Sequence, residues 1–221
     1  MKAFVFLYPI PEYMDHEIEL GSYGFSCCKE SKFKIRFEKA NSEEEKEFVR
    51  KGYLNFLYKK FKEFYRIRLN SCIDLRYRKN GFIINYAIFD GHNISDLINL
   101  KSNDKIIRVG LDFKTHTTKQ SNGEFLYPNQ DFILDQLGNI KVIRIAGFHL
   151  WDCVDKLAKR AHERGLETLI DEDLTELFSF RVKDKNFVLE KYPGYPIPKD
   201  VFKSSFEEFI RIRKERPWLL Q

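Results

Sequence analysis

The sequence predicts a single α/β domain: a mostly parallel, doubly wound sheet with helices on both faces. Three observations carry this. Val142 to Ala146 is short and β-branched, Gly147 opens a turn, and Val154, Leu157, Ala158 and Ala161 then recur at helical spacing. Gly165 closes that helix, and Leu166 to Ile170 is again strand-like, so the stretch is one βαβ unit. Ala3 to Tyr8 and Phe82 to Phe89 are nearly continuous apolar runs, the pattern of strands buried on both faces. The chain of 221 residues, 43% hydrophobic and 15% aromatic, suffices for one full core.

Composition narrows the function classes. The formal net charge of +5 is mild, and with 33 acidic residues most Lys and Arg belong to a mixed solvated surface. Nucleic acid is therefore not an expected partner. Cys27, Cys28, Cys72 and Cys153 show neither zinc spacing nor a secreted disulfide framework. The apolar opening stops at Pro9, too short for a signal segment, and no run approaches a membrane span. These readings predict a cytoplasmic protein that meets a small-molecule substrate and forms a homo-oligomer, with no membrane association.

Taken in order, Pro9 and Pro11 end the first strand. Residues 22–38 alternate enough to suggest a hairpin, inserted as a lid or dimer arm. Ser42 with Glu45 is a capping box, opening a helix expected to run to about Arg68. Asn70 or Ser71 then caps a short helix that Asn80-Gly81 ends, with a hairpin about Asn80-Gly81 as the competing reading. Asp104 to Leu111 is the next strand, and Gln130 to Leu137 a helix. Residues 183–221 form an extended, Pro-containing tail with a closing helix that Pro217 stops, and Trp218 packs.

Cys153 stands where the 142–146 strand hands over to its helix. Ligands in open α/β sheets bind at that edge, and a helix N-terminus favours a thiolate. The competing reading is a small buried core residue, and Asp152 opposes thiolate formation. The run Ala146-Gly147, five residues, Cys153-Val154, then a helix ending Arg164-Gly165 and a strand ending at Asp171, resembles the isochorismatase-like cysteine hydrolases, which include the nicotinamidases. The likeness covers about Lys105 to Phe178.

The resemblance implies a hydrolase acting on a small amide, with Cys153 as nucleophile, Lys114 as the supporting cation and backbone N–H groups near Cys153 for the oxyanion. Its catalytic Asp falls on Tyr8, a departure, so Glu12 or Asp15 is left to supply the carboxylate; Glu12-Tyr13 echoes an acidic-aromatic pair of the family. The bulky Phe148-His149-Leu150 replaces the family's small residues. Asp90-Gly91-His92 resembles a nicotinamidase metal motif, so a divalent metal on Asp90 and His92, supplemented by His116, is an alternative to a reaction needing no cofactor.

Polar clusters fall at successive strand ends, and Phe113, His116, His149 and Trp151 are the candidates for substrate contact. Two other functions stay open. A catalytically degenerate scaffold that binds a ligand or partner is supported by Tyr8. A metal-dependent nuclease is suggested by Asp112-Phe113-Lys114, with Asp90 or Asp104 as second carboxylate.

Overall fold

In the computed structural model, residues 1–25, 31–175 and 215–219 are described, apart from the side chains at 20–25, 31–33 and 151. Five strands form one all-parallel sheet: β1 (Lys2–Leu7), β2 (Phe82–Asp90), β3 (Lys105–Asp112), β4 (Val142–Gly147) and β5 (Glu167–Ile170). All five lie where the sequence places strands. Their order in space is β3-β2-β1-β4-β5. The chain thus winds outward from β1 in one direction through β2 and β3, then returns to lay β4 on its other side. The carboxyl ends of β1 and β4 flank the point of reversal, where doubly wound sheets hold their ligands.

The sheet has a core on each face. Ala3, Val5 and Leu7 of β1 face α5 (Gln130–Asp135) and α6 (Asp155–Glu163), meeting Ile133, Leu157 and Ala161. Phe4 and Phe6 face α1 (Pro11–Phe25) and α3 (Glu43–Cys72), meeting Met14, Ile18, Phe61 and Tyr65. The period-two alternation of a buried strand serves both layers at once. A short α2 (Ser31–Glu38) packs on α3, and α4 (Phe113–Thr117) follows β3 directly. Among the described residues no helix is long and apolar enough to cross a membrane.

Three local expectations are corrected. The hairpin expected across 22–38 is replaced by the end of α1 and by α2. Of the residues that alternate in 22–28 and 33–37, Ile35 and Phe37 are exposed, so no sheet face selects them. The helix expected to stop near Arg68 runs to Cys72 and continues as a π-helical turn, Ile73–Tyr77. Asn70 therefore opens no new helix: its Nδ2 donates to the carbonyls of Arg66 and Leu97, and its Oδ1 accepts from Asn99 N–H, both at 2.7 Å on the loop side. Ser42 caps the helix as read, with Glu45 N–H on Ser42 Oγ at 3.1 Å, but the Glu45 carboxylate accepts from Asn41 N–H, one residue before the cap, instead of closing the box on Ser42.

At the C-terminus, Trp218 is buried on the α6 face and its indole N–H donates to Asp155 Oδ1 at 2.6 Å. The extended stretch and closing helix read for the tail lie outside the described residues, apart from 215–219. Asn80-Gly81 makes no hairpin, because Gly81 (φ +75°) ends a short helical turn and β2 runs parallel to β1.

Candidate functional site at the sheet switch point

The site grows out of the two strand ends at the reversal. After β1 the backbone turns sharply at Tyr8, whose φ of +56° is a left-handed value that costs a bulky residue about 1–3 kcal/mol. The turn is held by Tyr8 N–H on Ala87 O and Ile10 N–H on Tyr8 O, both 2.7 Å. It places the phenol inside, stacked on Phe89 with ring centres 4.3 Å apart. After β4, Gly147 lets the chain pass over Leu7, and the cis Phe148–His149 peptide leads into a π-helical turn, Leu150–Val154, at the head of α6.

Cys153 sits in that turn and is only 4% exposed, packed in the core of the α5/α6 face. Tyr8 is buried in the same core cluster as Cys153. Burial, then the proximity of Cys153, pushes the Tyr8 phenol well above its ordinary range, so it stays a neutral donor. The Cys153 thiol donates to Asp152 Oδ2 at 4.0 Å, and Asp152 is itself ion-paired with Lys156. The N–H groups on either side of Cys153, those of Asp152 and Val154, both bond His149 O at 3.1 Å. They are spent on closing the turn, not turned toward an oxyanion.

The expected helpers divide. Glu12 lies in the first turn of α1, and its Oε1 is 3.4 Å from His92 Nε2. Asp15, on the same helix, faces α3, where it accepts from Tyr58 and pairs with Lys62 at 3.8 Å. α1 packs against α3, and Asp15 is spent on that contact. Lys114 is exposed on α4, and its ammonium has no ion pair or hydrogen bond among the described residues. The Trp151 side chain lies outside the described residues.

The ring-bearing candidates do converge. Tyr13 meets Phe113 at 5.3 Å and His149 at 4.8 Å, both edge to face, and Phe113 meets His92 at 5.3 Å. His116 is buried beneath them, stacked on Phe89 at 5.0 Å, with its Nδ1 2.7 Å from Leu126 O. It is a core histidine fixed by a carbonyl partner. Tyr13, His92, Phe113 and His149 are half-buried and form an aromatic rim above the Tyr8–Cys153 floor. Sequence reading named Tyr13 only as part of the Glu12-Tyr13 pair, not as a ring of the site, and missed the Tyr127–Lys156–Asp152 group. There the Lys156 ammonium stands 3.1 Å from the Tyr127 ring centre. Burial works to lower the Lys156 pKa, but Asp152 and Tyr127 outweigh it and hold it above the usual range. The four-residue spacing of Asp152 and Lys156 on a helical turn was the available signal.

Asp90 and His92 are not brought together as metal ligands. Asp90 Oδ1 accepts from Gly110 N–H at 3.2 Å, and His92 Nδ1 lies 3.4 Å from the Asp90 carbonyl, facing Glu12 with its other nitrogen. Among the described residues no group of three or more His, Cys, Asp or Glu is arranged to hold a metal.

Asp112 serves as the N-cap of α4, accepting from Thr115 N–H at 2.8 Å and Thr115 Oγ1 at 2.6 Å. Those bonds, the hydroxyl first, lower its pKa. Asp104 is at the opposite end of β3, ion-paired with Arg78, so it is no second carboxylate for Asp112. Asp90 does pair in register with Asp112 across β2 and β3. No protein-family model, curated protein or solved structure matches the chain.

Proposed function

We propose that the chain is a catalytically degenerate, isochorismatase-like scaffold that binds a small planar ligand at the switch-point rim. The observation that carries this is the burial of Cys153, 4% exposed in the same core cluster as Tyr8. A cysteine hydrolase needs a carboxylate at the thiol to take and return a proton. Here the carboxylate at the thiol, Asp152, is held in an ion pair by Lys156, and Tyr8, buried in the same core cluster as Cys153, is a neutral phenol. The thiol is packed in core and the neighbouring N–H groups are engaged. What stays accessible is a rim of Tyr13, Phe113, His92 and His149, with Glu12 beside it. Offset and edge-to-face ring contacts suit a flat aromatic or heteroaromatic compound, and the Glu12–His92 pair offers both a donor and an acceptor.

Cysteine hydrolysis of a small amide is the alternative that the position of Cys153 after β4 favours, and thiol reactivity separates the two. On native protein, iodoacetamide at neutral pH should modify the buried Cys153 more slowly than the half-buried Cys72, with mass spectrometry as the readout. A panel of aromatic amides and carboxylates should shift the melting temperature without being turned over, and Phe113→Ala should abolish the shift. Rapid, selective alkylation of Cys153 together with amide turnover lost in Cys153→Ala would overturn the binding reading.

A further inference from the structure

We propose that α3 is a homodimer interface, in which two copies cross antiparallel at Gly52. This stands apart from any ligand at the switch point. The 30-residue α3 is about 45 Å long. Its buried residues begin only at Leu57. α2 packs on α3, and an open groove of about 740 Å3 is lined by Phe48, Val49 and Gly52 together with Arg36 and Lys39.

Along α3 one helical ridge, at four-residue steps, reads Glu44, Phe48, Gly52, Phe56, Lys60. Phe48 is 80% exposed. Gly52 is exposed in mid-helix with ordinary helical backbone, and a Cβ there would meet no atom within 4 Å. A glycine in such a place weakens the helix and does nothing for the lone chain. It does let a second helix approach closely.

The ridge is complementary to itself when reversed about Gly52. Phe48 of one copy then falls opposite Phe56 of the other, and the acidic Glu44 opposite the basic Lys60. On the flanking positions Glu45 falls opposite Lys59. The first turn of α3 carries Glu43, Glu44 and Glu45, while Lys59 and Lys60 are exposed beyond the midpoint. A parallel pairing would set like charges together; the antiparallel one sets opposite charges together at both ends, as a two-fold interface requires. Lys60 lies 4.3 Å over the Phe56 ring, so its charge is already held on this ridge. The occupant is therefore a second copy of the chain.

The test is the solution mass of the full chain by light scattering at about 100 µM, where micromolar interfaces are filled. The expected result is twice the 26.5 kDa chain mass. Phe48→Asp and Gly52→Leu should each give a monomer with an unchanged circular dichroism spectrum. Gly52→Leu has open space in the lone chain, so its loss of dimer is not a folding defect. Glu44→Lys should weaken the dimer several-fold, and adding Lys60→Glu in the same chain should restore it. A native chain that stays monomeric, or a dimer that Gly52→Leu and the charge reversal leave intact, overturns the proposal.

Discussion

Gly147 lies directly against Leu7: a Cβ at position 147 would stand 2.1 Å from the Leu7 carbonyl oxygen. The two residues are register partners at the carboxyl ends of β4 and β1, and Gly147 has a φ of +117°. The close approach of the two strand ends is what sets His149 and Cys153 over Tyr8. Gly147→Ala should therefore cost about 3 kcal/mol or more, combining backbone strain with a clash against main chain. Urea denaturation would check this, and a loss under 1 kcal/mol (about one tenfold step or less) would mean that the strand ends are free to separate.

Asp171 joins the end of β5 to the π-helical turn after α3. Its buried carboxylate accepts from Tyr77 OH at 2.5 Å, from Arg76 Nη1 at 3.1 Å, and from the N–H groups of Asp173 and Leu174. Asp171→Ala strands these donors and should cost about 3–5 kcal/mol. Tyr77→Phe removes one donor from a group that keeps its others, and should cost about 1–2 kcal/mol. Thermal unfolding of both variants tests the ranking, and an equal loss would contradict it.

Alkaline pH should unfold the protein through its buried tyrosines. Burial, then Asp104, pushes the Tyr86 phenol up to about 12 from 10.0. The folded state holds this proton longer than the unfolded chain does. Its stabilisation is full below pH 10 and is lost as pH rises toward 12, falling by about 1.4 kcal/mol per pH unit in that window. Tyr8 and Tyr77 are raised in the same direction, chiefly by burial, and steepen the fall. Denaturation midpoints between pH 9 and 12 give the measurement; a flat profile there would show that these phenols ionise freely in the fold.

Asn70 should act as a clamp on the loop after β2. Its amide bonds Leu97 O and Asn99 N–H, with Asn70 itself buried on α3. Asn70→Ala leaves both loop groups unpaired and should cost about 2 kcal/mol. Amide exchange should quicken in residues 95–100 ahead of the sheet. Unaltered exchange there would show that Ser95 and the turn hold the loop without it.

The strands were legible because a parallel strand is buried on both faces and needs an unbroken apolar run, as in Ala3 to Leu7. The βαβ unit around Cys153 was legible from period and from glycine punctuation. Residues 22–38 misled because alternation in Ile35 and Phe37 has meaning only where one side is buried, and there it is not. Asn70 misled because a capping residue and a side chain tied to a distant loop look alike in sequence. Of the expected site, the rings of Phe113, His92 and His149 do meet, whereas Lys114 and Asp15 do not join them.

By itself the sequence determined the α/β class, the five strands and the placing of a cysteine at a strand-to-helix junction, since each follows from local pattern and chain stiffness. The tertiary structure alone decided which strands are neighbours, and hence that Tyr8 turns inward to share a core with Cys153. Such contacts depend on how distant segments share one interior, and no local spacing encodes which side chain fills it.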